Sequence, residues 1–410
     1  MGGELTEEML LSINGVELCV QAFGDPADPA ILLIGGSAAS MDWWEDDFCR
    51  LLAGGDRFVI RYDHRDTGRS VSYPPGSPGY TGDDLVSDAV GILDVLDRPV
   101  AHIVGISMGG ALAQLLTLRQ PSRVLSLTII SSTAGAGDAD LPGMGEGFMA
   151  RLAGLPAEPD WSDRPAVIKY LLAGARPFAA AAEPFDEDAV RTVVETMVDR
   201  TTDIEAASKN HPLADGSGPW RGRLGEITVP TLVLHGDQDP LFPLPHGRAL
   251  AAEIVNSRLL VMPGTGHELP RRVWGLVVPA IRRLTAPDWQ TQADVLAERF
   301  VAADDPTGWF DRLYGAAARG TVTMPWDHDT PQAELERWLR GQPPESIGAG
   351  RTAVVVGCGL GADAEYLAQF GFRTAAFDVS ENAVELAKSR HPASTVGYST
   401  ADLFDLPGEW

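Results

Sequence analysis

The sequence predicts an α/β protein: a mostly parallel sheet covered by helices on both faces, followed by the opening part of a second α/β unit. Three observations predict it. Short apolar runs (AILLIGG, RFVIRYD, AHIVGIS, SLTIISS, TLVLHGD and SRLLVMPG) are mostly separated by helical patterns such as DLVSDAVGILDVLD and GGALAQLLTLRQ. That alternation is the pattern of a parallel sheet buried by its crossover helices. A G-x-S-x-G stretch, Gly105-Ile106-Ser107-Met108-Gly109, stands where one such strand passes into a helix. A later strand, TAVVVGCG, runs into a glycine turn and then into a helical pattern.

Composition bounds the function classes. At 410 residues the chain has room for two cores, and its 44% apolar and 22% charged residues are those of a globular protein. A net charge of −25 with no basic patch repels polyanions, so nucleic acid is not expected as a partner. Cys19, Cys49 and Cys358 show no C-x-x-C spacing, which argues against a disulfide framework or a zinc site and fits a reducing cytoplasm. No apolar run approaches the ~18 residues of a membrane helix. The N-terminus lacks the basic and apolar regions of a secretion signal, so a cytoplasmic, membrane-free protein is expected. The first six residues, MGGELT, formally fit a myristoylation pattern, a match short enough to arise by chance.

The chain opens with LLSINGVELCVQAFG, two alternating strands about Asn14-Gly15, a dipeptide suited to a tight hairpin turn. At Ser107 the flanking glycines are expected because the strand-to-helix turn is too sharp for side chains, and the strain lifts the hydroxyl above the sheet. A serine that only caps a helix would leave the same local pattern. A nucleophilic serine also needs a base and a group to orient that base. TLVLHGDQDPLFP supplies Asp237 and Asp239 at the end of a strand, and LLVMPGTGHELP supplies His267 after the next one. Asp239, further into its loop, is assigned as the orienting acid, and Asp237 as a turn-capping residue. His64, His102, His211, His235 and His246 are read as core or surface imidazoles. The oxyanion donors are expected to be the N–H groups of Met108, just after the nucleophile, and Gly36, where the loop leaves ILLIGG.

Residues 10 to about 285 resemble the α/β-hydrolase family. The stretches FGDPADPA, VIRYDHRDTGRS, AHIVGISMGG and LPHGRAL are similar to the bacterial aromatic-polyketide methylesterases of the aclacinomycin methylesterase type. The resemblance implies an α/β-hydrolase fold with a helical cap, and triad roles for Ser107, Asp239 and His267. It also implies an oxyanion hole at Gly36 and Met108, no cofactor, and a small-molecule carboxylic ester as substrate, a methyl ester among the options. The chain departs from many members at Ile34, where a His-Gly pair is common. Arg65, Asp66 and Ser70 are read as loop architecture. A cofactor-free haloperoxidase or a C–C bond hydrolase would use the same triad and stays open. Between residues 135 and 223 the strand rhythm stops, which reads as a cap; MGEGFMARLAGL with Trp161, Tyr170 and Phe178 is expected to set specificity, with packing of the cap on the core as the other reading of these apolar residues. The hydrolase domain is placed at 1–286.

After ELPRRVWGLVVPAIRRL, the segment TAPDWQTQ reads as a linker, and a second domain is placed at 293–410 with a helical start near Ala293. Its glycines, Gly357, Gly359 and Gly361, are spaced G-x-G-x-G rather than the G-x-G-x-x-G of dinucleotide enzymes, which makes NAD the weaker reading. Asp378 closes the strand TAAFDVS at the distance of a ribose-binding carboxylate, and TVGYSTADL brings Asp402. This part resembles the class I methyltransferases dependent on S-adenosylmethionine, with Trp309 to Trp326 similar to their cofactor-covering N-terminal segment. The resemblance implies that Gly357, Gly359 and Gly361 face S-adenosylmethionine, Asp378 its ribose and Asp402 its adenine. A complete domain of this kind needs further strands, so the chain is expected to be a truncated fusion in which methyl transfer is doubtful. The alternative function is a small-molecule methyltransferase fused to a hydrolase. Oligomeric state is not legible in the sequence.

Overall fold

In the computed structural model, residues 7–135, 140–214, 218–286, 307–319, 330–342 and 347–404 are described, with isolated positions between them. The MGGELT pattern, most of TAPDWQTQ, the helical start near Ala293 and Trp326 lie outside the described residues. The chain divides into two compact units, Met1–Thr285 and Ala286–Trp410.

In the first unit, β1 (Met9–Ile13) and β2 (Val16–Phe23) form the expected hairpin, with Asn14 and Gly15 both at positive φ, as a tight turn of this type requires. β2 alternates only at its start and is buried throughout its second half, because it leaves the sheet edge and pairs with β4. β3 (Ala30–Ile34), α1 (Asp46–Ala53), β4 (Phe58–Tyr62), α2 (Gly82–Val95), β5 (Ala101–Ile106), α3 (Met108–Arg119) and β6 (Val124–Ile130) follow. Four cap helices come next, α4 (Glu146–Ala153), α5 (Arg164–Ala175), α6 (Glu187–Arg200) and α7 (Ile204–Lys209). β7 (Thr231–Gly236), α8 (Pro245–Glu253), β8 (Ser257–Met262) and α9 (Trp274–Thr285) complete the unit. The eight-stranded sheet has the order β1-β2-β4-β3-β5-β6-β7-β8, parallel from β4 to β8.

The central strands read as continuous apolar runs because both faces are covered. In β3, Leu32 and Ile34 pack with α2 and α3 on one side, while Ile31 and Leu33 pack with α1 and α9 on the other. The layers converge on the C-terminal ends of β5, β7 and β8, from which the loops bearing Ser107, Asp239 and His267 emerge.

The second unit contains α10 (Gly308–Ala318), α11 (Ala333–Arg340), β9 (Thr352–Val356), α12 (Ala362–Gln369), β10 (Arg373–Asp378), α13 (Glu381–Arg390) and β11 (Gly397–Thr400). Its three strands are parallel in the order β11-β10-β9. This is a small Rossmann-like sheet in which β9 pairs with β10 alone among the described residues. No described helix is long and apolar enough to cross a membrane.

Candidate active site

Ser107 sits in the turn from β5 to α3 with φ 54 and ψ −118, a backbone conformation that L-residues rarely adopt. The glycines on either side are required by space. A Cβ at Gly105 would overlap the Gly109 carbonyl, and one at Gly109 would overlap the carbonyls of Ile34 and Gly35. The turn is therefore wedged against the loop that leaves β3, where a Cβ built on Gly36 would stand in ordinary van der Waals contact with the Ser107 Cβ. Ser132 Oγ–H donates to the Ser107 carbonyl at 2.8 Å and fixes the turn from beneath. Among the described residues, neither the Gly36 nor the Met108 N–H donates to a protein acceptor.

His267 Nε2 lies 2.8 Å from Ser107 Oγ, and its Nδ1 lies 2.8 Å from Asp239 Oδ2. The other carboxylate oxygen of Asp239 accepts the Leu241 and Phe242 N–H groups, both at 2.9 Å, so the acid is locked by its own loop. An acceptor facing Nδ1 places the ring proton there and leaves the Nε2 lone pair aimed at the serine. Three residues separated by up to 160 positions thus form one relay. Asp237 is exposed and accepts the Thr265 N–H at 3.3 Å, a turn-capping contact. The rings of Phe178 and Phe242 flank His267 with centroids at 5.9 and 5.4 Å.

The five other histidines of the first unit are tied to structural partners. His102 Nδ1 meets Ser126 Oγ at 2.8 Å, His246 Nδ1 meets Thr133 Oγ1 at 2.9 Å, and His235 Nε2–H donates to the Phe242 carbonyl at 2.7 Å. His64 Nε2 is 3.2 Å from the Gly35 carbonyl, and His211 is held at both ring nitrogens. Burial depresses His64 and His102 to about 3 each, and lowers His235 and His211 as well. In the DHRDTGRS turn, Arg65 forms a buried bidentate pair with Asp88 at 2.7 and 2.8 Å. Asp66 accepts the Tyr73 N–H at 2.6 Å, and Ser70 Oγ accepts the Cys19 N–H at 2.9 Å. These groups hold the loop and lie away from Ser107.

A cavity of 770 Å³ opens over Ser107 and His267. The cap lining differs from the sequence expectation. Among its described residues MGEGFMARLAGL supplies no lining residue, and Trp161 and Tyr170 pack edge-to-face on each other at 5.6 Å instead. Phe148 of α4 stands behind Phe178 at 5.1 Å, so Phe178 alone of the named aromatics reaches the cavity. The wall is built by α5 and α6, with Leu171, Val190, Val193, Val194 and Met197. The signal was present in EDAVRTVVETMVDR, whose apolar residues at 190, 193, 194 and 197 form one helical stripe. The sequence reading also passed over Glu268, on the cavity wall. Its carboxylate accepts the Ala180 N–H at 3.3 Å, and burial raises it above the ordinary carboxylate range.

The comparisons with known proteins agree with this architecture. A family model described as alpha/beta hydrolase fold matches residues 29–270, more than half of the chain. The chain belongs to the α/β-hydrolase family. It is 33% identical over 294 residues to a rhodomycin D methylesterase of Streptomyces sp. strain C5, covering 66% of this chain and 96% of the relative. It is 32% identical to its counterpart in Streptomyces peucetius over the same shares. The enol-lactonase of Burkholderia xenovorans LB400 superposes with a TM-score of 0.54 at 23% identity, over 67% of this chain and 99% of that one, a likeness of fold. A second family model, a methyltransferase domain, matches residues 354–409.

In the second unit, Gly357, Gly359, Asp378 and Asp402 line a cavity of 630 Å³ with Phe310 and Tyr314 of α10. Gly361 does not line it. A Cβ there would collide with the Tyr398 hydroxyl, and its φ of 93 starts α12, so this glycine serves close packing rather than the cavity. Asp378 accepts the Gly359 N–H at 2.9 Å and the Ser380 N–H at 3.0 Å. Asp402 accepts the Phe404 N–H at 2.9 Å. The open space beside Gly357 and the acceptor capacity left on Asp378 suit a nucleoside-bearing cofactor.

Proposed function

We propose that the first unit is a serine hydrolase that cleaves a carboxylic ester of a small, largely apolar molecule, with Ser107 as nucleophile. The observation that carries this is the relay in which His267 lies 2.8 Å from both Ser107 Oγ and Asp239 Oδ2. His267 takes the Ser107 proton as the oxygen attacks the ester carbon, while Asp239 stabilises the imidazolium and fixes its orientation. The carbonyl oxygen becomes an oxyanion that accepts the N–H groups of Gly36 and Met108. Collapse of the tetrahedral adduct expels the alcohol, which takes its proton from His267 and leaves an acyl group on Ser107. A water molecule, deprotonated by His267, then attacks that acyl group, and the acid departs as the Ser107 hydroxyl is restored. The strained backbone at Ser107 and the close approach of Gly109 to the β3 loop keep nucleophile and oxyanion donors in register. The apolar wall of α5 and α6 favours a substrate with a broad hydrophobic body. The likeness to two rhodomycin D methylesterases supports a methyl ester, with methanol as the alcohol released.

The test is hydrolysis of p-nitrophenyl acetate and of aromatic methyl esters by the full chain and by Ser107→Ala. Turnover that disappears in the variant supports the reading, and equal rates in the two proteins would remove it.

A second activity is favoured by the cavity around Gly357, Gly359, Asp378 and Asp402. S-adenosylmethionine, when bound, supplies an electrophilic methyl group. The glycine backbone would approach its amino-acid portion, Asp378 would accept ribose hydroxyls, and Asp402 would face its base. Calorimetric titration of the full chain with S-adenosylhomocysteine, against Asp378→Ala, reads this out through binding.

A further inference from the structure

The loop that carries Gly36 is held by an imidazole that the chain supplies from 173 residues away. His211 stands in a short 3-10 turn, His211–Leu213, just after α7, where the chain returns from the cap. The Ala38 N–H donates to His211 Nδ1 at 2.8 Å, and His211 Nε2 lies 2.8 Å from the Arg65 carbonyl. A carbonyl only accepts, and an N–H only donates. The neutral ring with its proton on Nε2 is therefore the form that satisfies both contacts. Burial, which lowers the basicity of His211, favours that same neutral ring.

Ala38 needs such a partner. Its φ of +59 places a non-glycine residue in the left-handed region, two positions beyond Gly36 in a turn closed by the Ala39 N–H on the Gly36 carbonyl. The far side of His211 is rigid as well, since Arg65 is clamped by its bidentate pair with Asp88. The neighbouring Asn210 donates to Asp66 at 3.0 Å and accepts the Gly76 N–H at 2.7 Å.

We propose that His211 is a positioning residue for the oxyanion hole: through the Ala38 N–H it fixes the loop so that the Gly36 N–H points to the place where the ester oxygen acquires charge. The inference rests on the serine-hydrolase reading above. It makes the end of the cap part of the oxyanion hole, so that cap and hole assemble together.

The experiment measures kcat and KM for p-nitrophenyl acetate, and the inhibition constant of phenylboronic acid, in the full chain and in His211→Asn and His211→Gln. Phenylboronic acid forms a tetrahedral adduct with a nucleophilic serine and so reports the hole itself. Asn can place an acceptor near the Nδ1 position and keep the Ala38 contact. Gln can place a donor near the Nε2 position, keeping the Arg65 contact and losing the one to Ala38. The expected result is a kcat about tenfold or more below the parent in His211→Gln, with KM nearly unchanged and boronate affinity falling in step, and substantial recovery of all three in His211→Asn. Equal kcat in the two variants, or a loss in kcat without loss of boronate affinity, overturns the proposal. Thermal melts separate the two roles further, because a purely structural histidine lowers the melting temperature of both variants without separating their kcat values. If the parent itself retains its rate as Ser107→Ala, the hydrolase reading falls and His211 falls with it, a result distinct from the Asn–Gln comparison.

Discussion

β5 lies between β3 and β6, hydrogen-bonded to both, and Ala101–Gly105 is buried on both faces. β9 also ends in a glycine turn that opens a helix, yet among the described residues it pairs with β10 alone, and Val354 and Val356 are 53% and 50% exposed. The two strands resemble each other in sequence, as AHIVGIS and TAVVVGCG, and differ in what covers them. The first turn is wedged against the loop that leaves β3 and against Ser132, so it presents Ser107 in one geometry. The second has its glycines and its acidic partner, but one face of its opening strand meets solvent. A glycine turn is a local property of the chain, whereas a rigid site is a property of the walls around it.

The largest expected effect concerns the walled turn. Ser107→Ala should lower kcat/KM for p-nitrophenyl acetate by about 10⁴-fold or more, with an unchanged far-UV spectrum. A smaller drop would place the nucleophile elsewhere.

The next contrast compares truncations in the two strands by urea denaturation, with hydrogen exchange of peptides from each unit as the local reading. Ile103→Ala removes a fully buried side chain of β5 and should cost about 2–5 kcal/mol. Val354→Ala, on the half-exposed face of β9, should cost less than about 1 kcal/mol. Similar costs at both sites would mean that β9 is covered in solution, and the contrast would fail.

Acid should act on the first unit through its buried imidazoles. His64 and His102 sit at about 3, against an ordinary value of 6.5. Above 6.5 the folded and unfolded chains are both neutral at these positions, and the stability is fully present. As pH falls from 6.5 towards 3, the unfolded chain binds protons that the folded chain excludes, so stability declines by roughly 1.4 kcal/mol per pH unit for each histidine. Urea midpoints between pH 7.5 and 5 check this, and His102→Gln should flatten the slope. A slope that stays the same in the variant would assign the acid sensitivity to other groups.

The last contrast is at Gly357, where a Cβ would meet nothing within 4 Å but φ is +63. Gly357→Ala should cost only the backbone strain, about 1–2 kcal/mol, read as faster exchange in the second unit with p-nitrophenyl acetate hydrolysis intact. Loss of hydrolysis in this variant would show that the two units depend on each other.

Much of the candidate site was legible because its signals are local. The G-x-S-x-G glycines mark a turn that leaves no room for side chains, and the acid and the histidine each end a recognisable apolar strand in the order Ser107, Asp239, His267. The hairpin at Asn14-Gly15 and the parallel strands could be read from turn chemistry and from runs of β-branched residues. Trp161 and Tyr170 misled because aromatic side chains serve packing as readily as binding, and here they pack edge-to-face on each other. Gly361 misled because a glycine in a loop satisfies either a ligand or a neighbour, and the neighbour is Tyr398. His211 carried no sequence signal of a role, since its partners Ala38 and Arg65 lie 173 and 146 positions away.

By itself the sequence determined the α/β class, the helical insertion between β6 and β7, the strained serine turn and the glycine loop that opens the second unit. Each of these follows from the backbone preferences and apolar spacing of a few adjacent residues. Only the tertiary structure decided which cap helix lines the cavity, which imidazole stands against the loop that carries Gly36, and which glycines face open space. Those choices depend on contacts between distant segments, formed when the buried faces of the elements close on one another.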